Sequence, residues 1–163
     1  MAGPIGTDAA PSIERIDCTN YAEFRALTFA RANGREPSGA ELAAVASDAG
    51  HLKTLGDPNL YLFAARLRGR LAGYVSAVYV PKVGSGRWPG HFFVDELWTR
   101  PECRRLGIAA ALMARAEAEA RAFGAVGLRL YAGGDNAAAL ALYDKCGYVS
   151  RGGDAVFLEK PLI

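Results

Sequence analysis

Apolar and polar positions follow two periods along this chain, and their order predicts a mixed α/β domain. The predicted strands, where apolar residues alternate or cluster, are Ser12–Asp17, Leu60–Leu67, Leu71–Val80, His91–Thr99 and Leu128–Tyr131, followed by a closing hairpin of Tyr148–Ser150 and Val156–Lys160. The predicted helices run from Asn20 to about Arg31, from Ser38 to the break at Asp57, from Gly107 to Phe123 and from Asn136 to Cys146. Arg68-Gly69-Arg70 between two strands indicates a hairpin. The sheet should therefore change from antiparallel to parallel.

Local signals refine the ends and faces of these helices. Asn20 is expected to cap the first helix, and Ser38 with Glu41 has the spacing of a capping box for the second. The expected buried stripe of the second helix is Leu42, Val45, Ala49 and Leu52. The expected inner face of the third helix is Ile108, Leu112, Ala116, Ala120 and Phe123, with outer ion pairs Arg115–Glu119 and Glu117–Arg121.

Composition limits the class of protein. A chain of 163 residues with 51% hydrophobic and 22% charged residues is long enough for one folded domain, which we place at residues 13–163. Residues 1–12 are small and polar, and we expect them to be disordered. The net charge of +2 gives no reason to expect nucleic-acid or membrane binding. Three cysteines without a Cys-x-x-Cys pair fit reduced thiols in the cytoplasm, and two histidines argue against a metal site.

The segment after the fourth strand predicts an anion site. Pro101 breaks the chain, and Arg104-Arg105-Leu106-Gly107 then leads directly into a long helix. A glycine turn at a helix start presents backbone N–H groups that the helix cannot satisfy, at the positive end of its dipole. We therefore expect a phosphate or pyrophosphate at Arg105–Ala110. The chain has neither the glycine-lysine loop of nucleotide hydrolases nor the three-glycine dinucleotide fingerprint.

Two ordered motifs carry a family resemblance. Arg104-x-x-Gly107-x-Ala109 is followed by Asn136-x-x-Ala139-x-x-x-Tyr143-x-x-x-Gly147-Tyr148. Together they resemble the acyl-CoA elements of the GNAT acetyltransferase superfamily, over roughly Ile13 to Lys160. The resemblance implies an α/β (α+β) fold with an antiparallel N-terminal half, parallel central strands splayed around the cofactor and four flanking helices. It also implies acetyl-CoA as the co-substrate.

The resemblance further implies roles for individual residues. The pantetheine arm of acetyl-CoA would pair with the backbone of Leu97, Trp98 and Thr99. The residues expected at the pyrophosphate are Arg104, Arg105, Leu106, Gly107, Ile108, Ala109 and Ala110. Asn136 would contact the cofactor arm, and Tyr143 would donate a proton to the departing thiolate. Ala109 stands where a second glycine is commoner in the family.

The general base is left open between two carboxylates of the same strand. Asp95 and Glu96 should point to opposite faces of the sheet because side chains alternate along a strand. The position of Asp95, two residues before Leu97, is favoured by the resemblance, and Glu96 is the second candidate. A cysteine acyl-enzyme through Cys103 or Cys146 is the competing mechanism, but neither has a histidine nearby in sequence.

The acceptor is less constrained by sequence. Residues 20–60 carry five acids against four bases, whereas a polycationic acceptor favours an acidic lining. This balance therefore favours the primary amine of a small molecule, amino-acid-like acceptors included. Leu71–Lys82 partly resembles the aminoglycoside 3-N-acetyltransferase branch, so an aminoglycoside acceptor is left open. Peptide and protein amines are left open as well. A non-catalytic acyl-CoA-binding module is the alternative of another class, and a homodimer is left open because dimers are common among similar proteins.

Overall fold

A computed structural model describes residues 10–46, 53–84, 89–151 and 160 of the chain. The strands are β1 Ser12–Arg15, β2 Leu60–Leu67, β3 Arg70–Pro81, β4 Gly90–Thr99 and β5 Leu128–Arg129. The helices are α1 Tyr21–Asn33, α2 Gly39–Ala46, α3 Ile108–Phe123 and α4 Ala137–Lys145, with a 3₁₀ turn at Pro101–Cys103. Two compact units are distinguished, Met1–Tyr131 and Ala132–Ile163, and each is described by itself.

The five strands form one mixed sheet in the order β1-β2-β3-β4-β5. The first four are antiparallel neighbours, and β5 joins β4 in parallel. Arg68 (φ 51°) and Gly69 (φ 80°) form the turn between β2 and β3, both with the positive φ that suits a two-residue hairpin. The predicted sheet, antiparallel first and parallel later, is confirmed.

Helices cover both faces of the sheet in the first unit. On one face, α1 buries Tyr21, Phe24 and Leu27 in a cluster that also contains Leu62 and Tyr74. Phe63 follows Leu62 in β2 and so faces the other side, where the Arg115 guanidinium of α3 lies over its ring at 4.8 Å. Four of the five residues predicted for the inner face of α3 are buried, namely Ile108, Leu112, Ala116 and Ala120.

One prediction about a helix end is wrong, and one residue of a predicted inner face is placed as expected but only half buried. Asn20 stands before α1 but makes no side-chain cap; its Oδ1 accepts from the Asp17 amide and its Nδ2 donates to the Arg15 carbonyl, both at 2.9 Å. The Asn20 side chain therefore bonds to the segment that precedes the helix and not to the amides of its first turn. Phe123 is 47% exposed, although its ring lies 4.3 Å from that of Tyr79. The helical period correctly predicts the side of the helix on which Phe123 lies. It does not predict how much of that side chain the sheet covers at the last turn of the helix.

Other local predictions are confirmed or fall outside the described residues. The capping box is present, since the Ser38 amide donates to Glu41 Oε2 at 2.8 Å and the Glu41 amide to Ser38 Oγ at 3.3 Å. Strand β5 has two residues rather than the four predicted, and Tyr148–Ser150 is irregular. Three predictions fall on residues that the structure does not describe: the strand Val156–Lys160 apart from Lys160, the side chains of Val45, Ala49 and Leu52, and disorder at residues 1–9. Ser12, the last residue of the segment predicted to be disordered, begins β1.

Gly73 allows β4 and the start of α3 to approach β3 closely. A Cβ atom at this position would lie 2.6 Å from the Trp98 carbonyl oxygen and 3.2 Å from Ile108 Cγ2. The first of these distances is shorter than side chains tolerate, and the obstacle is backbone. The absence of a side chain at Gly73 therefore lets the end of β4 and the beginning of α3 lie close against β3.

We expect Gly73→Ala to lower the free energy of unfolding by about 1–3 kcal/mol, because the added methyl group overpacks a site with no room to yield. Urea denaturation measures the change. Gly39→Ala is the control: a Cβ there meets nothing within 4 Å, and alanine at this helical position should be neutral or stabilising by up to about 1 kcal/mol. Equal stability of the two variants would show that the close approach is unimportant.

Candidate active site

Strand β4 has an open edge in its second half. Its pairing with β3 runs from Gly90 to Thr99, whereas its pairing with β5 consists of Phe92↔Leu128 and Phe93↔Arg129. From Val94 onward, the backbone groups that face away from β3 have no strand partner among the described residues. Unpaired N–H and C=O groups at a strand edge are a template for an extended ligand. The open edge includes the predicted pantetheine-binding residues Leu97, Trp98 and Thr99.

The register of β4 shifts where the open edge begins. Val94 lies opposite Ala77 and Glu96 lies opposite Ser76, so Asp95 has no partner in β3. An extra residue of this kind is a β-bulge, which interrupts the alternation of side chains. Val94 is buried, Asp95 is exposed and Glu96 is partly buried. The sequence-based choice between Asp95 and Glu96 assumes that side chains alternate regularly along β4. The bulge interrupts that alternation at these two residues.

Glu96 is held by two side chains from other elements. Its Oε1 accepts from Arg31 Nη1 of α1, and its Oε2 accepts from the Tyr74 hydroxyl of β3, both at 2.7 Å. Arg31 Nη1 also donates to the Tyr74 hydroxyl oxygen. Burial, followed by the hydrogen bond to Glu96, raises the pKa of Tyr74 well above its usual value. Tyr74 therefore remains a hydroxyl donor at neutral pH.

Sequence reasoning missed Arg31 and Tyr74, which no motif connects to Glu96. One signal was available: Arg31 follows Leu27 by four residues and Phe24 by seven, and so continues the buried stripe of α1 toward the sheet. Asp95, in contrast, accepts no hydrogen bond from the described residues.

The turn before α3 supplies the expected backbone donors. Arg105 (φ 66°) and Gly107 (φ 78°) both have left-handed backbone conformations, and the first hydrogen bond of the helix runs from the Ala111 amide to the Gly107 carbonyl at 3.0 Å. The amides of residues 105–110 donate to none of the described residues. Six N–H groups at the positive end of a helix of 16 residues are thus available to an anion.

The surroundings of this turn fit a bulky anion. A Cβ atom on Gly107 would meet no protein atom within 4 Å, so the space before the amides is open on the protein side. Ile108 is buried and anchors the first turn of α3. Thr99 Oγ1, at the end of β4, is buried without a hydrogen-bond partner among the described residues. The donor set and this orphaned hydroxyl are compatible with a phosphorylated ligand that continues along β4.

A buried arginine ties the approach to this turn to the connection between α1 and α2. Arg100, 6% exposed, donates through Nε to the Leu71 carbonyl at 2.9 Å and through Nη1 to Glu36 Oε1 at 2.6 Å. The hydrogen bond from Arg100, and more weakly Arg70, lowers the pKa of Glu36. The ion pair fixes residue 100 immediately before the 3₁₀ turn that leads to the amides.

Asn136 and Tyr143 belong to the second unit. The Asn136 Oδ1 accepts from the Ala139 amide at 3.1 Å, so this side chain caps the start of α4. Tyr143 is partly buried, its ring lies 5.7 Å from that of Tyr148, and Gly147 (φ 80°) follows the helix. Burial, with a smaller effect of Cys146, raises the pKa of Tyr143. The phenol is therefore protonated at neutral pH, as an acid must be.

The cysteines, potential metal ligands and helix hydrophobicity of the described residues add no further candidate site. Cys18 is exposed, Cys103 and Cys146 are partly buried, and none of the three forms a disulfide. No group of three or more potential metal ligands occurs among the described residues. No described helix is both long and apolar enough to cross a membrane.

An open strand edge beside an unsatisfied helix N-terminus is an arrangement suited to an extended, phosphorylated ligand that is contacted largely through backbone groups. The acetyltransferase (GNAT) family model matches residues 23–148, more than half of the sequence. The chain belongs to the acetyltransferase (GNAT) family.

Similar proteins agree with this assignment. An "IAA acetyltransferase" of Azospirillum brasilense is 33% identical over an alignment of 119 residues that covers 68% of this chain and 74% of the relative. An aminoglycoside acetyltransferase from an uncultured soil metagenomic sample has a TM-score of 0.71 at 21% identity, covering 95% of this chain and all of that one. AAC(6')-Iy, solved with the bisubstrate analog CoA-S-monomethyl-acetylneamine, has a TM-score of 0.71 at 19% identity, covering 94% of this chain and 99% of that one. The two structures share the fold.

The Arg100–Glu36 pair makes stability depend on pH. Because Arg100 lowers the folded-state pKa of Glu36 below its usual 4.5, the stabilisation is present above pH 4.5 and is lost as the pH falls through the folded-state value. We expect Glu36→Gln to lower the free energy of unfolding at pH 7 by up to about 1 kcal/mol, since the carboxylate is half exposed and screened. The difference from the parent chain should vanish in strong acid.

Urea denaturation at pH 7 and in strong acid measures both values. Glu119→Gln is the matched control, because it removes an ion pair from the surface of α3 and should change stability little at either pH. A deficit of Glu36→Gln that persists unchanged in strong acid would contradict an electrostatic role for Glu36.

Proposed function

We propose that this protein transfers the acetyl group of acetyl-CoA to the primary amine of a small molecule by direct attack in a ternary complex. The observation that carries the proposal is the set of unsatisfied amides at residues 105–110, next to the open edge of β4. The family supports an acyltransferase, and the CoA moiety of the analog bound to AAC(6')-Iy supports CoA as the carrier.

Backbone groups account for most of the proposed binding of acetyl-CoA. The amides of residues 105–110 hold the pyrophosphate, and the Arg104 and Arg105 side chains add positive charge. The pantetheine arm pairs with the open edge at Leu97, Trp98 and Thr99, and Asn136 contacts the cofactor arm. A glycine at 107 keeps a side chain out of the space before the donors.

The reaction itself requires two proton transfers. The neutral amine nitrogen attacks the thioester carbonyl carbon and forms a tetrahedral intermediate whose oxyanion the Leu97 amide stabilises. The carbon–sulfur bond then breaks, and the thiolate takes a proton while the nitrogen loses one. The products are the N-acetylated amine and CoA with a free thiol.

Tyr143 is the proposed acid and Asp95 the proposed base. Burial raises the pKa of Tyr143, which keeps the phenol protonated until a thiolate needs the proton. Asp95 is exposed at the bulge with both oxygens available, so it accepts the amine proton through a water chain. Glu96 is the second candidate, but it already accepts hydrogen bonds from Arg31 and Tyr74. These contacts suit a carboxylate that organises the site.

Two alternatives remain distinguishable from this proposal. Aminoglycoside acceptors are suggested by the structural neighbours, and peptide or protein amines are compatible with the same chemistry. A non-catalytic acyl-CoA-binding module would bind CoA yet release no thiol with any amine.

We expect Gly107→Ala to weaken CoA binding by at least about tenfold, since a methyl group would stand before the amides that hold the pyrophosphate. Isothermal titration calorimetry with CoA measures the affinity. Gly124→Ala is the matched control: Gly124 (φ 80°) ends the same helix with similar φ and an equally open environment. Both variants should lose similar stability from left-handed strain, about 1–2 kcal/mol. Equal CoA affinity in the two would contradict the proposed pyrophosphate site.

We expect Tyr143→Phe to slow thiol release about 10- to 1,000-fold with little change in the Km for acetyl-CoA, because the departing thiolate loses its proton donor. A thiol-reactive dye monitors the reaction with a panel of primary amines. Tyr148→Phe, which removes a phenol from the neighbouring ring, should retain most activity. Full activity of Tyr143→Phe would remove the proposed acid, whereas CoA binding without thiol release from the parent chain would favour the non-catalytic module.

A further inference from the structure

A cavity of about 400 Å³ lies on the α1 side of β4, entirely within the first unit. Its walls are the end of α1, the connection to α2, Trp98 of β4 and the turn that carries Arg104. Arg31, which lines it, donates to Glu96 beside the bulge. The cavity therefore includes both a residue that contacts Glu96 and the start of the turn that leads to the free amides of residues 105–110. Its volume is that of a small-molecule site.

The charge of this cavity is unusual for an acceptor site that binds polycations. Four arginines, Arg31, Arg35, Arg100 and Arg104, line it against two glutamates, Glu36 and Glu102. Ion pairs occupy three of these arginines: Arg31 with Glu96, Arg35 with Glu41 and Arg100 with Glu36. Arg104 forms no ion pair with any described residue. Glu102 offsets the charge of Arg104, so the lining is rich in guanidinium groups but carries no excess of positive charge once its ion pairs are counted.

Arg31 also retains an unused binding edge. Only its Nη1 takes part in hydrogen bonds to the described residues, both within the cluster of Tyr74 and Glu96. Its guanidinium carbon lies 5.7 Å from the centre of the Tyr74 ring, and its side chain is 37% exposed. The group is therefore fixed by a ring and a carboxylate, yet open to solvent. The Nε and Nη2 atoms are left as a parallel pair of donors, the geometry that binds a carboxylate through two hydrogen bonds.

We propose that the acceptor amine carries a carboxylate, which the Nε–Nη2 edge of Arg31 binds in this cavity. The inference rests on the proposed acetyl transfer, because it names the class of acceptor for the same site. Trp98, Ala30 and Pro101 add apolar surface to the walls, which suits an acceptor with an apolar body such as an amino acid. A polycationic aminoglycoside fits poorly, since the carboxylates at this cavity, such as Glu36 and Glu96, already pair with arginines.

The test compares amine acceptors that differ only in the carboxylate. Leucine and leucinamide, and phenylalanine and phenylalaninamide, have the same amine and body, and kanamycin represents the polycations. We expect kcat/KM for thiol release to be at least about tenfold higher for each amino acid than for its amide, and lowest for kanamycin. The amine of an amide is less basic and more often neutral, so a preference for the carboxylate cannot come from amine basicity.

Arg31→Lys identifies the residue responsible. Lysine keeps a positive charge beside Glu96 but cannot offer two parallel donors, so the preference for the carboxylate should fall at least about fivefold while the KM for acetyl-CoA is unchanged. Arg115→Lys is the control, because Arg115 lies on α3 against Phe63 on the other face of the sheet.

Each outcome decides the inference. Thiol release that is equal for amino acids and amides, or highest for kanamycin, would overturn it while leaving acetyl transfer intact. A rise in the KM for acetyl-CoA without loss of the carboxylate preference in Arg31→Lys would assign Arg31 to the cofactor and overturn it as well. If no acceptor releases thiol, the proposed function fails; ligand-observed NMR with the same pairs then decides the inference, which stands only if leucine binds more tightly than leucinamide and Arg31→Lys removes the difference.

Discussion

The hydrogen bonds between β4 and β5 stop after Phe93, and the candidate site depends on that interruption. A fully paired strand in the middle of a sheet has no backbone groups left for a ligand. Because β4 pairs throughout with β3 but only briefly with β5, it is anchored on one side and open on the other. The bulge at Asp95 lies where the open edge begins, and the six free amides follow the strand. Binding groups are thus supplied by main chain whose position the sheet and α3 fix.

The parts of the site that are local in sequence could be predicted, and the parts that depend on tertiary contacts could not. The glycine turn before α3, the capping box of α2 and the cap of α4 each involve residues within a few positions of one another. Their geometry follows from backbone rules alone. Asn20 shows a limit of such local rules. Its side chain could bond either to the first amides of α1 or to the backbone of the preceding residues, and it bonds to the latter.

The bulge and the side-chain clusters were not predictable for a different reason. Whether β4 carries an extra residue depends on its register with β3, which the sequence of β4 does not contain. The cluster of Arg31, Tyr74 and Glu96 joins one helix and two strands and requires the packed sheet to exist first. Alternation alone would have left Glu96 on the same face as Val94. The register shift instead brings Glu96 to the face that α1 covers, within reach of Arg31.

The ion pairs of this region contribute more to position than to stability. Most are partly exposed, and pairs of that kind contribute at most about 1 kcal/mol each. Arg100 differs in position, since its guanidinium is buried and must be paired, with the Leu71 carbonyl and with the half-exposed carboxylate of Glu36. That requirement holds the connection between α1 and α2 against the start of the cofactor turn. The Arg100–Glu36 pair consequently holds in place the side chains that form this wall of the cavity.

Backbone recognition of one ligand and side-chain recognition of the other have different consequences for specificity. A strand edge and free amides offer the same hydrogen-bonding groups whatever side chains surround them, so recognition through the backbone places few demands on the sequence. Under the proposed function, acceptor choice depends on the side chains that line the adjacent cavity, and side chains vary between proteins of one fold. In this chain the lining is rich in arginine and one guanidinium has an unused edge. The acceptor must therefore be inferred from these side chains rather than from the acceptors of structural neighbours.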